Sequence, residues 1–298
     1  MRFLIAGSSG FLGTRLRERL TDQGHSVTSL VRRPGGPGEV TWDPYQRPLD
    51  PAVVRDHDVV INLAGSPTAG NVHSSKWARE LRASRITTTR VLAEAIAASG
   101  NQPTFLAGNG IAYYGDHGNE RLTEQSSSLG DALLTRVTRE WQEAADPART
   151  AGSRVCVLRT SPVMDRRSQP LKALRLLFKA GLGGPLGDGS QFMPMISTRD
   201  WVAALIHLAE NDGIDGPVNL VCEQVPTNAD FTRELGRLVH RPARFRVPAF
   251  VLRPAAGQMA NELLGSVNAA PARLLGSGFA FSDPDVGAVL REGLNPTR

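Results

Sequence analysis

The sequence predicts an α/β fold: a doubly wound parallel sheet with a smaller C-terminal lobe that holds the substrate. Three observations predict it. Apolar strand-like runs alternate with amphipathic helical runs through the first half of the 298-residue chain. The first of these runs ends in closely spaced glycines that open directly into a helical pattern. After Arg159 the alternation gives way to glycine- and proline-rich segments set between helices. Parallel neighbours each need a crossover connection, so such alternation argues for helices on both faces of one sheet.

Taken in order, RFLIA (2–6) reads as a strand buried on both faces. AGSSGFLG (6–13) follows, and beyond it Leu12, Leu16 and Leu20 recur every four residues among Arg15, Arg17, Glu18 and Arg19. That spacing is a helix with one apolar stripe, which Gly24 ends. HSVTSLV (25–31) is a second strand and RRPGGPG a turn. DHDVVINLAG (56–65) carries a strand ending in glycine, and residues 75–99 form one long helix. PTFLAGNG supplies the next strand, LGDALLTRVTREWQEAA a helix and RVCVLRT another strand. Later helices are expected around 199–210, 228–239 and 253–264, with a strand near 216–221 returning to the main sheet. Residues 1–160 therefore make the first domain, with sheet contributions from about 195–222, and residues 161–298 mainly the second lobe.

Composition narrows the function classes. At 41% hydrophobic and 21% charged residues the chain is of ordinary globular type, and its net charge of +5 comes from scattered arginines. No basic run interleaves with aromatics, so nucleic acid is not an expected partner. No apolar run approaches membrane-spanning length, and the one after Arg2 stops at Ala6, too short for a secretory leader. Cys156 and Cys222 lie in apolar runs without metal-ligand spacing and read as reduced core residues of a cytoplasmic protein. No histidine cluster or paired carboxylates suggest a metal or glycosidase site.

Three glycines in a row of offsets are weak evidence alone; strand before and helix after give them meaning. In that setting Gly7 permits the tight turn, Gly10 lets backbone approach a pyrophosphate, and Gly13 lets the helix press on the strand. The phosphates then meet unpaired N–H groups at a positive helix end. The end of the second strand identifies the dinucleotide. A carboxylate there would accept from the ribose hydroxyls of NAD, but the sequence reads Leu30-Val31-Arg32-Arg33, with no acid before Glu39. Two guanidinium groups suit a 2′-phosphate, so NADP is the expected cofactor; the alternative is a pair of exposed turn arginines.

These segments, together with INLAG (61–65), SRITTT (84–89), AYYG (112–115), GGPLGDGSQF and RDWVAALIHL, resemble the extended short-chain dehydrogenase/reductases. More narrowly the chain resembles their atypical epimerase-like group, often labelled NAD-dependent epimerase/dehydratase or nucleoside-diphosphate-sugar epimerase. Its segment from PAFVLRPAAGQ onward is similar to the small C-terminal extension of that group. The resemblance implies a Rossmann-type fold that binds NADP(H). It implies pyrophosphate contacts at Ser8, Ser9, Gly10, Phe11 and Leu12, and backbone of Leu63, Ala64 and Gly65 against the adenosine side. Glu80 and Arg85 are implied cofactor neighbours, with a solvated ion pair as the alternative for Glu80, and Val163 falls where the chain passes the nicotinamide. It leaves a homodimer open.

For catalysis, the parent family uses a tyrosine, a lysine in the next helical turn and a serine. A phenol titrates near pH ~10 without a cationic neighbour, so the lysine matters. Here Leu133 and Val137 occupy the tyrosine and lysine positions, and Asn109-Gly110 the serine position. Substitutes are Tyr113 or Tyr114 as proton donor, with Asn109 orienting the substrate carbonyl; alternatively both rings merely wall the pocket. Asp200 is expected to cap its helix, His207 to be a satisfied core or surface histidine and not a ligand, and Trp77, Trp141 and Trp201 to be packing residues. The expected function is an NADP(H)-dependent, epimerase-like oxidoreductase for a small carbonyl or sugar-derived substrate. The alternative is a catalytically silent NADP(H)-binding sensor.

Overall fold

Strand β1 (Arg2–Ala6) is an interior strand of the main sheet and buries four of its five residues, Phe3 and Ile5 toward one face and Leu4 and Ala6 toward the other. The computed structural model describes residues 1–243 and 246–296. The strands after β1 are β2 (Ser26–Val31), β3 (Glu39–Thr41), β4 (Val59–Asn62), β5 (Thr104–Gly110) and β6 (Arg121–Leu122). They continue with β7 (Val155–Thr160), β8 (Val163–Met164), β9 (Ile196–Ser197), β10 (Gly216–Leu220) and β11 (Asn268–Ala269). Seven of them form one parallel sheet in the order β10-β7-β5-β4-β1-β2-β3. The order reverses between β1 and β4, which puts a ligand crevice at the carboxyl ends of those strands.

Helices cover both faces. On one face α1 (Phe11–Asp22) and α7 (Thr198–Glu210) bury Leu16, Leu20, Trp201 and Leu205 against Phe3, Ile5, Ile61 and Leu158. On the other, α2 (Pro51–Arg55), α3 (Ser75–Ser99) and α5 (Asp146–Thr150) bring Val54, Leu92, Ile96 and Ala148 onto Leu4, Val60, Phe105 and Val157. Helix α4 (Leu133–Glu143) packs beside α3, the two bridged by an Arg82–Glu140 ion pair. Ser74 caps α3 by accepting from Trp77 N, and Gly100 ends it at φ 75°. The second lobe gathers α6 (Gln169–Lys179), α8 (Asn228–Leu238) and, later in the chain, α12 (Val286–Leu294) around Met164, Leu171, Phe178, Phe231 and Leu290. Between α8 and α12 come α9 (Ala249–Ala256), α10 (Ala260–Leu264) and α11 (Ala272–Gly276).

Several expectations change in detail. The turn after β2 leads into β3, an edge strand too short to show a periodicity. The helix expected at 253–264 starts earlier and is broken at Gly257, φ 52°, into α9, a short 3-10 turn and α10. Asp200 does not cap α7. Ser197 does, accepting from Asp200 N, while the Asp200 carboxylate accepts from the amides of Ser282 and Asp283 at 2.9 and 2.8 Å. His207 hydrogen-bonds Ser277 and packs edge-on against Phe279. Among the described residues no helix is long and apolar enough to cross a membrane, and no group of three or more His, Cys, Asp or Glu gathers to hold a metal.

Candidate functional site

The four residues between β1 and α1 fold tightly onto neighbouring backbone. Gly7 sits at φ 83°, and a Cβ there would lie 2.6 Å from the Leu63 carbonyl carbon. A Cβ on Gly13 would lie 2.2 Å from the Gly7 carbonyl oxygen, so the first turn of α1 rests on the loop itself. Gly10 N donates to Gly7 O at 3.1 Å. Gly10 is the N-cap and supplies no side-chain acceptor, and the first turn of α1 holds no acid. The leading amides of a 12-residue helix therefore stay available to an anion, with the helix dipole favouring negative charge. Ser8 is buried, Ser9 and Gly10 are exposed, and Phe11 and Leu12 are half-buried.

The loop after β4 is held from behind by a ladder of buried hydroxyls. Asn62 Nδ2 donates to Thr89 Oγ1 at 2.8 Å and Thr88 Oγ1 at 3.2 Å, while its Oδ1 accepts from Ala64 N at 3.0 Å. Ser66 N donates to Ser84 Oγ at 2.9 Å. This explains SRITTT: its serine and threonines fix the backbone of Leu63, Ala64 and Gly65 beside Gly7. Arg85 lies against Gly65, donates to Leu81 O and Thr68 Oγ1, and stacks over Trp141. Burial lowers its guanidinium to about 10, which leaves it charged at neutral pH. Glu80 is not brought to Arg85. It is largely exposed, 3.8 Å from Lys76, the solvated-pair arrangement.

At the adenosine end the two arginines separate. Arg32 is exposed and has no ion pair or hydrogen bond among the described residues. Arg33 instead donates from Nη1 and Nη2 to both oxygens of Glu39, each at 2.7 Å. That bond raises the guanidinium pKa further and lowers the carboxyl of Glu39. The two arginines expected at the 2′-phosphate therefore differ in their surroundings, because β3 brings Glu39 back to Arg33.

At the carboxyl end of β5 the proposed catalytic groups also divide. Asn109 is buried, with Nδ2 donating to Thr138 O at 3.0 Å and Oδ1 accepting from Gly110 N at 2.7 Å. Each end of its amide thus already holds one partner within the protein, where the expectation gave it to a substrate carbonyl. Tyr114 is 0% exposed, its hydroxyl bonded to Thr123 O, Asn219 and Arg159 at 2.8, 2.8 and 2.9 Å. Burial pushes its phenol pKa up, so it belongs to the interior and not to the pocket. Tyr113 is half-buried, its ring lies 3.5 Å from the Arg159 guanidinium, and its hydroxyl has no hydrogen-bond partner among the described residues. Val163, in β8, is buried and pairs with Ile196.

Leu133 opens α4 half-buried and Val137 is buried, so neither position offers a proton. A titratable group that sequence reasoning missed stands next to them. Glu262 of α10 accepts from Leu134 N at 2.7 Å through Oε1, while Oε2 is buried without a partner. Burial raises its carboxyl pKa, opposed by the Leu134 amide. The preceding turn carries Gln258, which donates to Val72 O at 3.3 Å. The segment 257–262 therefore spans from the loop after β4 to the start of α4, across the carboxyl edge of the sheet.

Residues 3–221 match the model of the NAD dependent epimerase/dehydratase family, and residues 247–292 match a domain of unknown function, DUF1731. An epimerase family protein of Mycobacterium leprae is 36% identical over 288 residues, covering 96% of this chain and 93% of that one. The crystal structure of human epimerase family protein SDR39U1 (isoform 2) with NADPH superposes with a TM-score of 0.86 at 32% identity, covering 98% of this chain and 99% of the human one. The nucleoside-diphosphate sugar epimerase from Corynebacterium glutamicum superposes with a TM-score of 0.81 at 32% identity, covering 98% of this chain and 58% of its own.

Proposed function

The chain belongs to the NAD dependent epimerase/dehydratase family, and from that premise we propose that it binds NADP(H) and works as an epimerase-like oxidoreductase on a small carbonyl or sugar-derived compound. One observation carries the cofactor half: the uncapped, acid-free N-terminus of α1, seated by Gly7 and Gly13 at the carboxyl ends of β1 and β4. The NADPH of the human relative supports the choice of dinucleotide, and the likeness to the Corynebacterium nucleoside-diphosphate sugar epimerase supports the substrate class.

When bound, the nicotinamide supplies the hydride chemistry. This chain's residues do the rest. The α1 amides hold the diphosphate, Arg32 offers a guanidinium to the 2′-phosphate, and the hydroxyl ladder keeps Leu63 and Ala64 in line. Tyr113 Oη is the unengaged phenol at the end of β5 and donates the proton to the substrate oxygen. Glu262 accepts from Leu134 N beside the helix start where the resemblance places the parent family's tyrosine, so its carboxyl is the alternative to be tested.

Tyr113→Phe is expected to lower turnover by about 10²-fold or more while leaving the NADPH dissociation constant within about twofold. Unchanged turnover in that variant, and its loss in Glu262→Gln, would move the proton to the carboxyl. A second reading rests on Leu133 and Val137: a regulatory protein that binds NADP(H) without turnover. Calorimetric binding of NADPH combined with no oxidation across carbonyl, alcohol and nucleotide-sugar panels would favour it.

A further inference from the structure

The adenosine end holds a charge arrangement that the NADP(H) reading does not require, and the following inference rests on that reading. Arg32 and Arg33 leave β2 together, but only Arg32 remains unengaged. The turn that follows closes on β3 through several bonds. Gly36 N donates to Glu39 Oε2 and Glu39 N to Gly36 O, both at 3.0 Å, while Gly35 N donates to Thr41 Oγ1 at 3.0 Å. Thr41 Oγ1 in turn donates to Arg33 O at 3.3 Å.

The strand register shows where this leaves the guanidinium. Val31, the last residue of β2, pairs with Thr41, and Glu39 pairs with Ser29. Glu39 therefore lies two residues, roughly 7 Å, behind the carboxyl edge at which a ligand sits. Its carboxylate draws Arg33 back along β3, and Arg33 Nη1 is held again by Pro34 O at 3.1 Å. The two Nη groups that grip Glu39 form one planar fork, the geometry that a phosphate would also use.

We propose that Glu39 is an intramolecular competitor of the cofactor's 2′-phosphate for Arg33, and that it thereby sets how strongly the protein prefers NADP(H) over NAD(H). The fork of Arg33 is closed on Glu39, which leaves Arg32 as the guanidinium to meet the phosphate. Recruiting Arg33 requires breaking two charge-assisted bonds and leaves a carboxylate beside an incoming anion. NAD(H), with a hydroxyl at that position, makes no demand on Arg33 and is indifferent to the exchange. Glu39 thus narrows the selectivity that two free arginines would give.

Glu39→Gln tests this with NADPH and NADH titrated calorimetrically into the full chain at physiological salt. Glutamine keeps an acceptor for Gly36 N and nearly the same volume, so the turn is retained, and NADH binding serves as the internal control. The expected result is a tightening of NADPH by about fivefold, limited by screening at an exposed site, with NADH unchanged within about twofold. In an Arg33→Gln background the same substitution is expected to bring no gain, while Arg32→Gln weakens NADPH more than Arg33→Gln does. Unchanged or weaker NADPH binding in Glu39→Gln overturns the proposal. A gain that persists without Arg33 overturns it too, because the carboxylate would then act by plain repulsion. If the unsubstituted protein binds NADPH but none of these ratios moves, the competition alone is wrong. If it binds neither dinucleotide, the cofactor reading falls as well.

Discussion

Substituting alanine for Gly13 is expected to cost both stability and cofactor affinity, raising the NADPH dissociation constant by about thirtyfold or more, on the order of 2 kcal/mol. The cause is steric. The new methyl would stand 2.2 Å from Gly7 O and 2.8 Å from Ser8 Cα, both backbone atoms without room to yield. Helix α1 must therefore lift off the loop whose amides it helps to present. Gly10→Ala separates binding from folding. A Cβ there meets only Gly7 O at 3.3 Å, so the fold should hold while the pyrophosphate loses its close approach. The prediction is a melting temperature near that of the unsubstituted protein in Gly10→Ala and a lowered one in Gly13→Ala, with NADPH affinity reduced in both. Equal melting temperatures for the two, measured by calorimetry, would contradict this account of Gly13. Gly24→Ala is the control, since φ is 79° there and nothing lies within 4 Å; it should cost backbone strain of about 1 kcal/mol and leave affinity alone.

The same glycines show what a sequence of this class makes readable. A strand, a turn and a helix are local, and their periodicities place β1, α1, α3 and β5 within a few residues of where they occur. Gly7 and Gly13 follow from the demands of that one turn. The catalytic half depends on distant partners. That Tyr114 is buried and Tyr113 is not depends on Asn219, 105 residues away, and on Arg159. Asn109 looked free because its acceptor, the carbonyl of Thr138, leaves no trace in side-chain chemistry. Glu39 reached Arg33 through an edge strand of three residues, too short for any period to register. Glu262 lay 128 residues from the amide it meets, in a segment where no spacing marks it.

Arg159 carries the last prediction. It is 2% exposed and has no carboxylate bonded to its guanidinium among the described residues. Nη1 donates to the Tyr114 hydroxyl at 2.9 Å and to Glu124 O at 3.3 Å, Nη2 to Gln142 Oε1 at 3.0 Å, and Nε is unpartnered. A charge buried on neutral acceptors and two aromatic faces is tolerated because guanidinium is planar and weakly hydrated. Lysine has neither property. Arg159→Lys would keep the charge, lose the fork that joins Tyr114 to Gln142, and ask a strongly hydrated ammonium to stay dry. Arg159→Met would lose the same bonds but remove the charge. The lysine variant is therefore expected to be the less stable of the two, with methionine costing about 1–3 kcal/mol and lysine about 3–5 kcal/mol in urea unfolding. The reverse order would mean that water reaches this side chain and that the charge itself stabilises the fold. Both variants remove the planar guanidinium on which the Tyr113 ring rests, so both should also lower turnover more than they weaken NADPH binding, because Tyr113 acts on the substrate and not on the diphosphate.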